Sequence, residues 1–137
     1  MDNYKLLQKL AANRSILIIE DDKELNIELS EIFAIFFTKI ASAFDAEEGL
    51  KKLRTNDFDI VISDITIPKK SGLKMITEFR AGHSHQSPLP NFIVLSGHVE
   101  NYLEELQVLD IEHFLAKPYD PDTLFDIIIS ILESKSE

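Results

Sequence analysis

Cysteine is absent from the chain, which removes disulfides, thiolate catalysis and thiolate metal sites and is compatible with a reducing cytoplasm. No uninterrupted apolar stretch is long enough to span a bilayer. The opening segment MDNYKLLQKLAANR carries charge throughout and lacks the apolar region of a signal peptide, so nothing marks the chain for export. Clustered basic residues are missing too. The formal net charge is −10, and the pairs Lys51-Lys52 and Lys69-Lys70 read as solvated helix and loop charges. A phosphate-backbone footprint needs grouped Lys and Arg, so no direct nucleic-acid contact is expected. Internal repeats and low-complexity tracts are also absent.

What is present is the balance of a globular domain: 137 residues, 45% apolar and 28% charged. That length supports one compact domain with a sizeable core. Five short apolar runs read as strands: ILII at 16–19, KIASA at 39–43, DIVIS at 59–63, NFIVL at 91–95 and IEHFL at 111–115. Four of them are continuous rather than alternating, which suits a sheet covered on both faces. Between them the apolar spacing becomes helical over 23–37, 46–55, 72–81, 99–109 and 121–133. Pro121 stands at a favoured first-turn position of the last helix. Five βα units in series imply right-handed crossovers. The expected fold class is α/β, a flavodoxin-like (βα)5 doubly wound parallel sheet of strand order 2-1-3-4-5.

Residues 1–14 read as a helical N-terminal extension through Tyr4, Leu7 and Leu10, residues 15–134 as the domain, and 135–137 as a polar tail. The segment 81–91 is a loop rich in proline and small polar residues. Its His83 and His85 lack a visible third ligand and read as a solvated turn rather than a metal site.

Chemistry concentrates where the first strand ends. Glu20, Asp21 and Asp22 are consecutive acids directly after ILII. One reading is an ordinary helix start, with Asp21 as cap and Glu24 closing a capping box. The other emerges from the neighbouring strand. In order 2-1-3-4-5 the first and third strands adjoin at the topological switch point, where ligands bind. Asp64 ends the third run as Glu20 and Asp21 end the first. Adjacent strands lie about 5 Å apart, so three carboxylates would converge and repel unless a cation or a proton relieves them. Oxygen ligands without His or Cys point to Mg²⁺ or a similar ion. Ser96 ends the fourth run and Lys117 follows the fifth, adding a hydroxyl and an ammonium at the same edge. Together these groups would meet a phosphoryl group on a carboxylate. Each also has an ordinary reading, Ser96 and Asp64 as caps and Lys117 as a surface charge.

Over residues 15–134 the sequence resembles the receiver domains of two-component response regulators. IIEDD is similar to their acidic metal pocket, with Glu20 and Asp21 as its pair. DIVISDITIPKKSG resembles the phospho-acceptor segment, with Asp64 as acceptor, Pro68 four residues on and Gly72 eight on. FIVLSG matches the switch hydroxyl at Ser96, and FLAKP the lysine at Lys117. The resemblance implies Mg²⁺ or Mn²⁺ held by Glu20, Asp21, Asp64 and the backbone carbonyl of Thr66. It further implies a cis Lys117-Pro118 peptide and a switch role for Phe114, which otherwise reads as core. Thr66 and His98, two residues after Asp64 and Ser96, match positions that tune phosphoryl lifetime.

The implied function is phosphoryl transfer from a histidine kinase or histidine phosphotransfer protein to Asp64. The output would be altered affinity for a downstream protein partner through the fourth helix, fifth strand and fifth helix of the five units, a surface that also offers a homodimer contact. The chain would be a cytoplasmic signalling switch with no membrane or nucleic-acid partner of its own, catalysing its own modification rather than turnover of a metabolite. Ile27 and Ile35 lie off the first helix's apolar stripe and are candidates for a partner-docking face. A second reading is a metal-dependent phosphatase with an aspartyl-phosphate intermediate, although such enzymes place a second acid where Thr66 stands. A flavin module is disfavoured, because carboxylates in the first loop would repel its phosphate. Asp22 is expected to serve the helix start and to matter less for metal than its two neighbours.

Overall fold

The computed structural model describes residues 3–84 and 87–135. Its elements run α1 (Asn3–Ala11), β1 (Ser15–Ile19), α2 (Lys23–Ala34), β2 (Lys39–Ala43), α3 (Ala46–Thr55), β3 (Ile60–Asp64), α4 (Gly72–Gly82), β4 (Asn91–Ser96), α5 (Leu103–Val108), β5 (His113–Ala116) and α6 (Pro121–Lys135). The strands form one parallel sheet of order β2-β1-β3-β4-β5, as the alternating pattern requires.

Side chains of a strand alternate between faces, so each continuous apolar run feeds two cores. Ile16, Ile18, Ile60 and Ile62 pack with α1, α2 and α6 on one face. Leu17, Ile19, Val61 and Val94 pack with α3, α4 and α5 on the other. β2 and β5 depart furthest from full burial, because they are the two edge strands. Lys52 covers part of that edge by donating to the Ser42 carbonyl.

The N-terminal helix is part of the first core. Leu7 and Ala11 are fully buried, the Tyr4 ring meets Phe36 edge-on at 4.9 Å, and Asn3 donates to Asp126 at 2.9 Å.

Several boundaries differ from the sequence pattern. The first unit's helix stops at Ala34 rather than 37, and Phe36 and Phe37 are buried in the turn that follows. The expected helix 99–109 is broken: a 3-10 turn, Val99–Asn101, precedes α5. Tyr102 lies between them with φ −121° and ψ 4°, outside the helical region, while its ring packs on the second core. The fifth strand begins at His113, not Ile111. Ile111 instead closes the end of α5, its N–H donating to Leu106 and the Asp110 N–H to Gln107, with Asp110 left-handed at φ 54°. That is a Schellman cap with its usual apolar contact, here Ile111 against Leu106. Helix α6 reaches Lys135, the first residue assigned to the tail.

Candidate metal and phosphoryl site

Three acids meet because two neighbouring strands end together. Ile19 pairs with Ser63, so Glu20 emerges beside Asp64. Carboxylate oxygens of Glu20, Asp21 and Asp64 lie within 4.8 Å of one another, with Glu20 and Asp64 buried and Asp21 exposed. Asp22 stands apart from this group. It is the N-cap of α2, its side chain accepting from the Leu25 N–H at 3.2 Å. The capping duty thus falls on Asp22 and not on Asp21, because the chain is still extended at Asp22 (φ −72°, ψ 109°).

Lys117 enters from β5. Its N–H donates to the Ser96 carbonyl at 2.8 Å, and the Lys117-Pro118 peptide is cis. The ammonium bridges the acids, 2.7 Å from Glu20 Oε1 and 2.8 Å from Asp64 Oδ2. Burial pulls the Lys117 ammonium down, but hydrogen bonds to Asp64 and Glu20 and their charges outweigh it, and the group titrates above its ordinary value. For Glu20, burial is the largest influence and leaves its carboxyl raised despite the bonds from Lys117 and the Asp22 N–H. One ammonium therefore faces three carboxylates, and the pocket keeps a negative excess.

The loop after Asp64 is held from several sides. Thr66 is exposed and its backbone N–H donates to Asp64 Oδ1 at 3.3 Å. The Pro68 carbonyl accepts from the Ala46 N–H at 3.1 Å, and Gly72 N–H donates to Ile65 at 2.7 Å. A Cβ at Gly72 would stand 2.3 Å from the Asp64 carbonyl oxygen, so only glycine allows this close return of the chain. Lys70 fastens the loop to α4 through Glu78 at 2.6 Å.

Ser96 is buried, and its hydroxyl accepts from the His98 N–H at 3.0 Å. Because Asp64 pairs with Leu95, Ser96 lies one residue past the acceptor strand's end. Phe114 is half-buried against the second core and pairs with Val94. His98 is exposed. His83 is engaged elsewhere: its Nε2 lies 2.8 Å from the Ser87 carbonyl and its ring lies tilted against Phe79, centroids 5.0 Å apart. His85 lies outside the described residues. Ile27 and Ile35 are both exposed.

One residue at the site escaped sequence reasoning. Asn26 is buried and donates through Nδ2 to the carbonyls of Glu20 and Ala43, at 3.0 Å each. The available signal was a polar residue on the buried stripe that continues through Leu29 and Phe33.

A family model described as the response regulator receiver domain matches residues 16–129. The chain belongs to the response regulator receiver domains. This receiver is 33% identical to the N-terminal domain of an uncharacterized protein from Wolinella succinogenes, covering 90% of this chain and 97% of that one with a TM-score of 0.79. It is 25% identical to the response regulator TrrA from Thermotoga maritima, solved in complex with Mg²⁺-BeF, over 86% of this chain and 98% of that one with a TM-score of 0.72. Among curated proteins, the transcriptional regulatory protein DltR of Streptococcus agalactiae is 28% identical over 80% of this receiver and 47% of its own length. The receiver spans about half or less of the length of these curated relatives, the other being a hybrid signal transduction histidine kinase of Dictyostelium discoideum. Receiver domains accept phosphoryl groups from histidine kinases and act on downstream effectors, and this one is a signalling switch of that class. Among the described residues no helix is long and apolar enough to cross a membrane.

Proposed function

We propose that Asp64 is the phospho-acceptor of a cytoplasmic two-component phosphorelay, with a histidine kinase or histidine phosphotransfer protein as donor. The observation that carries this reading is the Glu20, Asp21 and Asp64 cluster with Lys117 bridging its two buried members. Its donors are all carboxylate oxygens and remain in excess over the one ammonium, which fits a hard divalent ion. Glu20, Asp21, Asp64 and the Thr66 carbonyl would hold Mg²⁺ or Mn²⁺. Such an ion supplies neutralisation of charge on phosphoryl oxygens.

The chain's own groups do the rest. A carboxylate oxygen of Asp64 attacks the phosphorus; the new P–O bond forms as the P–N bond to the donor imidazole breaks, and the leaving nitrogen takes the bonding pair and a proton. Lys117 turns from Asp64 to a phosphoryl oxygen. Ser96 hydrogen-bonds the product, and Phe114 transmits its displacement to the surface of α5, β5 and α6. Leu103 and Val108 stand exposed on α5, apolar ground for a downstream partner or a second copy. Thr66 and His98 flank the approach of hydrolytic water and set the adduct's lifetime. The donor's route lies over α2 and α6, where a groove of about 490 Å³ lined by Leu25, Leu29, Phe33, Leu124 and Phe125 opens beside Lys117, with Ile27 and Ile35 on the outer side of α2.

Intact mass after incubation with acetyl phosphate and Mg²⁺ tests the assignment. One phosphoryl adduct is expected, lost in Asp64→Asn and without metal. A folded wild type that takes no adduct overturns it. Multiple turnover of a generic phosphate ester would favour the phosphatase reading instead.

A further inference from the structure

We propose that Asn26 is a positioning residue for the acidic pocket, fixing the direction of both Glu20 and Asp21 by holding the peptide that joins them. The inference rests on the reading of that pocket as a divalent-ion site.

The β1–β2 ladder ends at the pair Ile19 and Ala43. Beyond it the Glu20 N–H still donates to the Ala43 carbonyl at 3.0 Å, but the Glu20 carbonyl has left the sheet. Asn26, 1% exposed, reaches back from the first turn of α2 and donates to both the Glu20 and Ala43 carbonyls. Its own oxygen accepts from the Ser30 hydroxyl at 3.2 Å, which decides which way the amide faces.

The Glu20 carbonyl belongs to the Glu20–Asp21 peptide plane. Since the peptide is rigid, its orientation couples ψ of Glu20 to φ of Asp21, and with them the exit directions of the two carboxylates. The two acids otherwise rest on different supports. Glu20 is held by Lys117 and by the Asp22 N–H at 3.2 Å, whereas Asp21 is exposed. Removing the Asn26 donor would leave a buried carbonyl unpaired, which drives the peptide to turn toward another donor or water. Both acids would move with it.

The test compares Asn26→Ala, Asn26→Ser and Ser30→Ala with Ile128→Val, a core change in α6. Calorimetric titration with Mg²⁺ alone is read alongside hydrogen-exchange protection of the Glu20 amide in metal-free protein. Loss of a supporting residue of this kind weakens metal affinity about 10- to 100-fold. That is expected for both Asn26 variants, with a smaller shift for Ser30→Ala, reduced Glu20 protection, and adduct formation from acetyl phosphate regained at saturating Mg²⁺. Ile128→Val should leave the affinity unchanged. Folded Asn26 variants that bind Mg²⁺ like the wild type overturn the proposal. If they do not fold, Ser30→Ala decides, and unchanged affinity and protection there overturn it equally. A wild type that binds no Mg²⁺ removes the pocket reading itself, and this inference with it.

Discussion

At the residue scale the consecutive acids divide into two jobs that their positions explain. Glu20 and Asp21 face Asp64, while Asp22 spends its carboxylate on the Leu25 N–H. Asp21→Asn should therefore weaken Mg²⁺ binding strongly with little change in stability, since the side chain is exposed. Asp22→Asn should leave binding nearly intact, because asparagine caps a helix about as well as aspartate. Titration calorimetry and thermal unfolding of the two variants measure the contrast; equal losses of affinity would collapse the division. The acids, Ser96 and Lys117 could be found from sequence because each directly ends an apolar run, and strand ends are where a parallel sheet gathers ligands. Asn26 could not, because periodicity scores a polar residue on a buried stripe as a flaw. Its partners are carbonyl oxygens, which every residue type carries alike.

At the scale of elements, α1 is the piece whose weight the sequence understates. It is nine residues long, too short to be stable alone. Its order comes from Leu7 and Ala11 seated in the core with α2 and α6. Leu7→Ala should cost about 2–5 kcal/mol, as for other fully buried leucines, with a visible fall in the denaturant midpoint. A cost within about 0.5 kcal/mol, the range of surface changes, would mean α1 is detached in solution. The misjudged strand start at Ile111 has a similar origin. An apolar residue that closes a helix by a Schellman cap and one that opens a strand look alike in one dimension; the left-handed Asp110 separates them.

For the whole molecule, an ion held by Glu20, Asp21 and Asp64 would link metal binding to folding. A ligand that binds only the folded state at about 100 times its dissociation constant stabilises it by about 2.7 kcal/mol, and a chain of this size gains roughly 3 °C per kcal/mol. Mg²⁺ should thus raise the thermal midpoint by about 8 °C, measured by circular dichroism, and the shift should vanish when Glu20 and Asp21 are both amides. A rise that survives that double substitution would place the ion elsewhere. The sheet order, the two-sided core and the ligand edge were legible because five buried runs alternate with helical patterns over nearly the whole chain. The exact turns between them were not, since they depend on single backbone conformations such as that at Tyr102.

The alternation of side chains along β3, β4 and β5 has one more result. Glu20, Asp64 and Lys117 fall in step with the first core, beside α2 and α6, while Ser96 and Phe114 fall in step with the second. The wall between the acids with Lys117 and the pair Ser96 and Phe114 is one sheet thick, and the crossing is a single peptide, from Leu95 to Ser96. A protein delivering a phosphoryl group over α2 and a protein sensing Phe114 over α5 would approach from opposite faces of the sheet and meet only at α6, which borders both.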